Sequence, residues 1–223
     1  MSAFIAAQAK SMLLSVASTV VAHREILCEA DRHIGDGDHG ISMANGFEAA
    51  AKELESHEYN DVYQVFSTVG RTLIRVMGGA SGIIFGFLFY AGTRNMPAKA
   101  EINETEFTAI FEKALAEIQA KGQAKPGDKT LVDGLAPAVQ AMRDSLARGD
   151  ALPELLKAAC QAAEAGMEAS KQYIARVGKA KTVGERSVGY PDAGCVSLVL
   201  ITRAMSDWAH QNLQMKEGGL LLP

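Results

Sequence analysis

Four glycine-bearing breaks punctuate this sequence, and helix-length stretches of periodic apolar residues fill the space between them. The breaks are Gly35-Asp-Gly-Asp-His-Gly40, Gly78-Gly-Ala-Ser-Gly82, Lys125-Pro-Gly-Asp-Lys-Thr130 and the longer Gly184–Gly194. Leu131, Leu135, Val139, Met142 and Leu146 recur every three or four residues, which is one face of a helix. Composition points the same way. There are 36 alanines, the strongest helix former, and only 6% aromatics, which strands favour. The pattern argues against a sandwich or a β-barrel and predicts an all-α protein.

The expected rods follow from period and caps. A first helix covers about Phe4–Ala30, and a second about Ile41–Glu55 with Met43 and Phe47 inward. Asn60 is a candidate cap for a third, Asp61–Met77. Ser81 is a candidate cap for a fourth; Ile83, Ile84, Phe85, Phe87, Leu88 and Phe89 make it apolar all round, as in a central buried helix. Asn103 and Glu106 form a capping-box pattern ahead of a fifth helix. The sixth spans about Lys129–Ala147. The seventh is capped by Asp150, carries Pro153 in its first turn and turns Ala159, Ala162, Gly166 and Ala169 inward. The last begins near Ala193 and runs past Trp208. Eight helices on short connections make an antiparallel bundle. The 223 residues fit one helical domain over 1–215 and a short C-terminal tail, 216–223.

Charge and cysteine usage exclude several classes. The net charge is −4, so no basic surface is available to coat a nucleic-acid backbone. Cys28, Cys160 and Cys195 are odd in number and scattered, which reads as reduced thiols in a cytoplasmic protein. The apolar run Ile83–Ala91 is far shorter than the ~20 residues that span a bilayer. Ser15, Ser18 and Thr19 interrupt the N-terminal apolar stretch, which reads as a helix rather than a signal peptide, so no membrane association is expected.

In an up-and-down bundle of eight, the breaks after the first, third, fifth and seventh helices share one end, and these four breaks are those. The loop chemistry therefore converges on one rim. Asp31, Asp36 and Asp38 put three carboxylates within eight residues, and such a cluster needs a counter-ion. Hard carboxylate oxygens suit Mg²⁺ or Ca²⁺, and the twelve-residue loop of an EF-hand is missing. The helix expected after Gly40 offers backbone N–H groups to a phosphate. Together these describe a Mg-nucleotide site; the alternative is a solvated turn with an Asp cap. Ala80 and Ser81 offer phosphate donors, or their glycine neighbours serve tight packing. Lys125, Asp128 and Lys129 bind phosphate or cap the sixth helix. The fourth break, with Lys179, Lys181, Arg186 and Asp192, is a surface loop or a lid. His39 contacts phosphate or base, moves a proton, or simply holds a hydrogen bond. No P-loop and no nucleophile elbow occurs.

In order and spacing, from about residue 10 to 210, these four loops resemble the signature loops of the nucleotide-binding L subunit of dihydroxyacetone kinase (DhaL type). The resemblance implies an eight-helix antiparallel barrel-like bundle with ADP or ATP at one rim. It implies two Mg²⁺ ions on Asp31, Asp36 and Asp38. It implies phosphate contacts from His39, Gly40, Ile41, Ser42, Ala80 and Ser81, and adenine flanked by Gly122 and Leu131. Lys179 stands where the family often has Arg, and Asp192, Ala193 and Gly194 complete the site, with Ala193 in place of a common Pro. It further implies a substrate-binding K subunit as partner, with the base for the acceptor hydroxyl on that partner. The phosphoryl donor is either exchanging ATP or a phosphohistidine protein of the phosphotransferase system. Two other readings use the same residues: an ADP-sensing module that binds a regulator, and a Mg-dependent phosphohydrolase.

Overall fold

The computed structural model describes residues 3–213. The expected tail 216–223 and the Lys179 side chain lie outside the described residues. Among those residues the chain forms nine α-helices and one two-stranded ribbon. The helices are α1 (Ala6–Ala22), α2 (Arg24–Arg32), α3 (His39–Glu55), α4 (Val62–Met77), α5 (Gly79–Tyr90), α6 (Glu104–Gly122), α7 (Val132–Arg148), α8 (Leu152–Ser170) and α9 (Ala193–Leu213). In the ribbon, β1 (Phe4–Ile5) runs antiparallel to β2 (Glu101–Ile102), with Phe4 opposite Ile102. The ribbon ties the entrance of α1 to that of α6, and no alternating pattern announces strands of two residues.

The nine helices are the expected eight rods with the first one broken. His23 turns back on α1: its N–H reaches the carbonyls of Thr19 and Val20, and its ring Nδ1 lies 2.7 Å from Thr19 O. The chain bends there by 57° and continues as α2. From α3 to α9 each helix packs on the next, α9 returns to α1, and α1 packs on α3. The ring closes as a barrel around one core, with α2 laid against α3 and α9. Among the described residues, no single helix is long and apolar enough to cross a membrane.

Local chemistry sets the element ends, and it shifts several expected caps by one residue. Asp61, not Asn60, caps α4 by accepting from Tyr63 N. The N-cap of α8 is Ala151; Asp150 instead accepts from Ser145 Oγ and Arg148. Asn103 and Glu106 do form the reciprocal capping box of α6. α5 begins at Gly79 rather than after Ser81, and it is not wholly buried. Phe85, Leu88 and Phe89 enter the core while Ile83 is 43% exposed. On α8 the buried small residues are Ala159, Ala163 and Gly166, with Ala162 and Ala169 only half-buried.

One close approach links α7 to α8. Pro137 lies inside α7 and has no N–H, so the carbonyl four residues back, at Asp133, loses its helical donor. That carbonyl faces Gly166 of α8, where a Cβ would sit only 2.1 Å away. Glycine lets the two helices close over it.

Candidate functional site

The antiparallel ring brings the starts of α3, α5, α7 and α9 to one rim. Each start carries the positive end of a helix dipole, which favours an anion; at α7 the first N–H groups are already taken by Thr130 and Leu131. A cavity of about 630 Å³ opens among these starts, a size suited to a small-molecule cofactor. Of the residues singled out from sequence, Asp31, Asp36, Asp38, His39, Ser42, Ala80, Ser81, Gly122, Leu131, Asp192, Ala193 and Gly194 line it. Gly40 and Ile41 do not. A Cβ on Gly40 would meet the Arg24 carbonyl at 2.1 Å, so this glycine lets α3 pack on α2. The Ile41 side chain is 51% exposed.

The acidic loop is folded around Asp31. The Asp31 carbonyl accepts from Gly35 N at 2.6 Å, and its carboxylate Oδ2 accepts from Gly37 N at 2.8 Å. Gly35 leaves the room this needs, because a Cβ there would fall 2.1 Å from Asp31 Oδ1. One oxygen from each of Asp31, Asp36 and Asp38 falls within 4.8 Å of the others. Three hard oxygen donors converging at a cavity wall fit Mg²⁺, which takes carboxylates together with phosphate and water oxygens. At the start of α3, His39 Nε2 lies 2.7 Å from Ser197 Oγ on α9, which joins two walls of the site.

Across the cavity, the start of α5 is set by two left-handed glycines. Gly78 has φ +64° and ψ −178°, and Gly79 has φ +57°. A Cβ at either would meet nothing within 4 Å, so the requirement is conformational rather than steric. The turn aims the first N–H groups of α5 at the cavity. Ile84, Ile118, Leu131 and Val132 form an apolar wall beside Gly122, the kind of surface a base needs.

The third and fourth breaks join through a residue that sequence reasoning left as a phosphate ligand or cap. Lys129 is 1% exposed. Its ammonium donates to the carbonyls of Ser170 and Tyr190, both at 2.6 Å, and so pins the end of α8 and the exit of the long loop. Asp133, which the sequence places as an ordinary helix residue, accepts from Gly127 N at 2.5 Å and Thr130 N at 2.7 Å and closes the third break. The Lys129 role depends on partners that only the fold brings near, whereas Thr130-x-x-Asp133 is a capping-box spacing readable in the sequence. The long loop is itself folded, with 3₁₀ turns at Lys179–Thr182 and Gly184–Ser187. Burial pulls the Lys129 ammonium below its ordinary range, against the pull of Asp192. Burial also pushes the Asp192 carboxyl up to about 7; the Cys195 N–H opposes this and Asp133 adds to it. Asp192 caps α9 through Cys195 N at 2.8 Å.

A closed helical ring with an anion-attracting rim and a three-carboxylate loop defines a class of phosphate-handling helical barrels. The chain belongs to the DAK2 domain family, whose model matches residues 33–207. It is similar to the ADP-binding subunit DhaL of the PEP-dependent dihydroxyacetone kinase of Escherichia coli (strain K12). The two are 32% identical over 182 residues, 82% of this chain and 87% of that subunit. The ADP-binding subunit DhaL of the PTS-dependent dihydroxyacetone kinase of Lactococcus lactis is 34% identical over 175 residues, 78% of this chain and 83% of that subunit. Among solved structures, the dihydroxyacetone kinase from C. freundii in complex with AMP-PNP and Mg²⁺ matches with a TM-score of 0.69. That match has 25% identity and covers 93% of this chain but 35% of that one. The chain thus spans about a third of that enzyme's length.

Proposed function

We propose that this chain is the Mg-nucleotide-binding, phosphoryl-donating subunit of a dihydroxyacetone kinase or of a kinase for a related keto-triose or keto-tetrose. The observation that carries the reading is the convergence of Asp31, Asp36 and Asp38 beside the starts of α3 and α5 on one cavity. Phosphoryl transfer asks little covalent chemistry of a protein; positioning and charge stabilisation do most of the work. In this reading the three carboxylates hold two Mg²⁺ ions, whose charge would offset that of the polyphosphate and of the leaving oxygen. The α3 and α5 starts, with Ser42, Ala80 and Ser81, orient the phosphates. Gly122 and Leu131 receive the base, and Asp192–Gly194 close the site.

The acceptor sugar belongs on a separate K subunit, and exposed apolar side chains at the rim support docking there. Ile41, Ile83 and Val188 are each more than 40% exposed at the cavity end of the barrel. The names of the relatives, PEP-dependent and PTS-dependent kinase subunits, support a phosphohistidine protein as the donor that recharges bound ADP.

The test is reconstitution. The purified chain is extracted for bound nucleotide, then mixed with a K subunit and assayed on dihydroxyacetone with ATP and, separately, with a phosphohistidine donor. Phosphorylation of the sugar only in the mixture is the expected result. Failure with every triose and tetrose under both donors refutes the reading. Steady ATP hydrolysis by the chain alone would instead favour a phosphohydrolase. Asp36→Ala is expected to abolish Mg²⁺-dependent nucleotide retention and leave the helical circular dichroism signal intact; retention by the variant would overturn the metal assignment.

A further inference from the structure

The acidic loop and the long loop meet through two aromatic rings. His33 sits between Asp31 and Ile34, both of which line the cavity, and Tyr190 lies two residues before Asp192, which also lines it. The rings are stacked, with centroids 4.1 Å apart and planes 10° from parallel. Each is held from behind. The Tyr190 carbonyl takes the buried Lys129 ammonium, and Gly189, at φ +93°, donates its N–H to Lys171 O at 2.7 Å. His33 Nε2 lies 3.3 Å from Glu29 Oε1 on the preceding turn of α2. The rings themselves face solvent: Tyr190 is 39% exposed and the His33 side chain 42%.

We infer that this stacked pair is a latch joining two walls of the rim cavity, and that it sets how fast nucleotide enters and leaves. The inference rests on the nucleotide reading above. One wall carries Asp31, Ile34, Asp36 and Asp38; the other carries Val177, Gly178, Ala180 and Asp192. A ligand seated between them leaves when the walls part, and the ring contact resists that parting. Lys129, which anchors the Tyr190 carbonyl, is 1% exposed, whereas the ring contact faces solvent, so the rings yield before that anchor does. An aromatic pair of this kind shifts an equilibrium by roughly two- to tenfold. A ligand passing in either direction must part the same contact, so the latch slows entry as well as exit. His33 and Tyr190 are positioning residues in this scheme and touch no reacting atom.

The test uses the full chain, a fluorescent N-methylanthraniloyl ADP and Mg²⁺, with association and displacement followed by stopped flow. Tyr190→Ala and His33→Ala are each expected to raise both rate constants roughly two- to tenfold and leave the dissociation constant within about twofold. The double variant matches either single one, since both remove the same contact. Tyr190→Phe keeps the parent rates, because stacking does not use the hydroxyl. If Tyr190→Ala fails to fold, His33→Ala carries the same test from the other ring. Unchanged rates, additive effects, or faster exit without faster entry would overturn the latch while leaving the nucleotide site standing. Absence of Mg²⁺-dependent binding by the parent chain would overturn both.

Discussion

Replacing Lys129 by Met keeps the length and bulk of the side chain and removes its charge and donors. The ammonium makes two 2.6 Å bonds to the carbonyls of Ser170 and Tyr190, in a residue 1% exposed. A hydrogen bond to a charged group contributes about 1.5–3 kcal/mol, so the two together are worth roughly 3–6 kcal/mol. Against this, burial already disfavours the ammonium, and Met removes that cost. A net loss of about 2–4 kcal/mol remains once about 1–2 kcal/mol of desolvation is returned. The left-handed backbone at position 129, φ +61°, is strained equally for either residue and cancels. For a chain of this size each kcal/mol moves the melting temperature by about 2–4 °C, so the expected fall is roughly 5–15 °C. Thermal unfolding followed by circular dichroism measures it. Hydrogen exchange should show residues 171–192 less protected, with α4 and α6 unchanged. A melting temperature within about 2 °C of the parent would refute the claim that this lysine pins the loop.

Two further outcomes follow from packing and charge. Asp192 binds its proton more tightly in the folded chain, with its carboxyl at about 7 against an ordinary 3.8. Stability therefore falls as pH rises from about 4 to 7 and stays low above that, by up to about 4 kcal/mol. Asp192→Asn keeps an acceptor for the Cys195 N–H and cannot ionise, so in urea titrations it should exceed the parent by a few kcal/mol at pH 8 and match it at pH 4; equal stability at both would refute the burial argument. Gly166→Ala drives a methyl to 2.1 Å from the Asp133 carbonyl. The helices must part, at a cost of about 1–3 kcal/mol, and the loop that Asp133 closes shifts with them; nucleotide affinity should fall together with the melting temperature, and an unchanged variant would show that α7 and α8 have slack.

What could be read in the sequence was what repeats or clusters. The stripe from Leu131 to Met142 is buried along α7, and the glycine breaks lie at one rim because parity places them there. The three aspartates of the first break needed only their proximity along the chain. Apart from the break at His23, what escaped depended on neighbours distant in sequence. His23 breaks the first rod with neither glycine nor proline, by folding its own N–H and ring onto the last turn of α1. Lys129 reads as a phosphate ligand or a cap until Ser170 and Tyr190 close over it. Gly40 reads as a phosphate contact, and the packing of α2 against α3 gives it another reason to be glycine. Tyr190 and His33 are 157 residues apart along the chain, and no local pattern pairs them.

The closed antiparallel ring also fixes how far the site's field can reach. Around the rim, the beginnings of α3, α5, α7 and α9 alternate with the endings of α2, α4, α6 and α8. Positive and negative poles therefore alternate like the segments of a wheel, and at a distance they cancel. The attraction for phosphate survives only within the first turn of each helix. The chain as a whole carries a net charge of −4, which repels polyanions at long range. Such a rim holds an anion that has already arrived and does nothing to draw one in from solution. Such a site gains nothing from the salt-sensitive steering that basic clefts use.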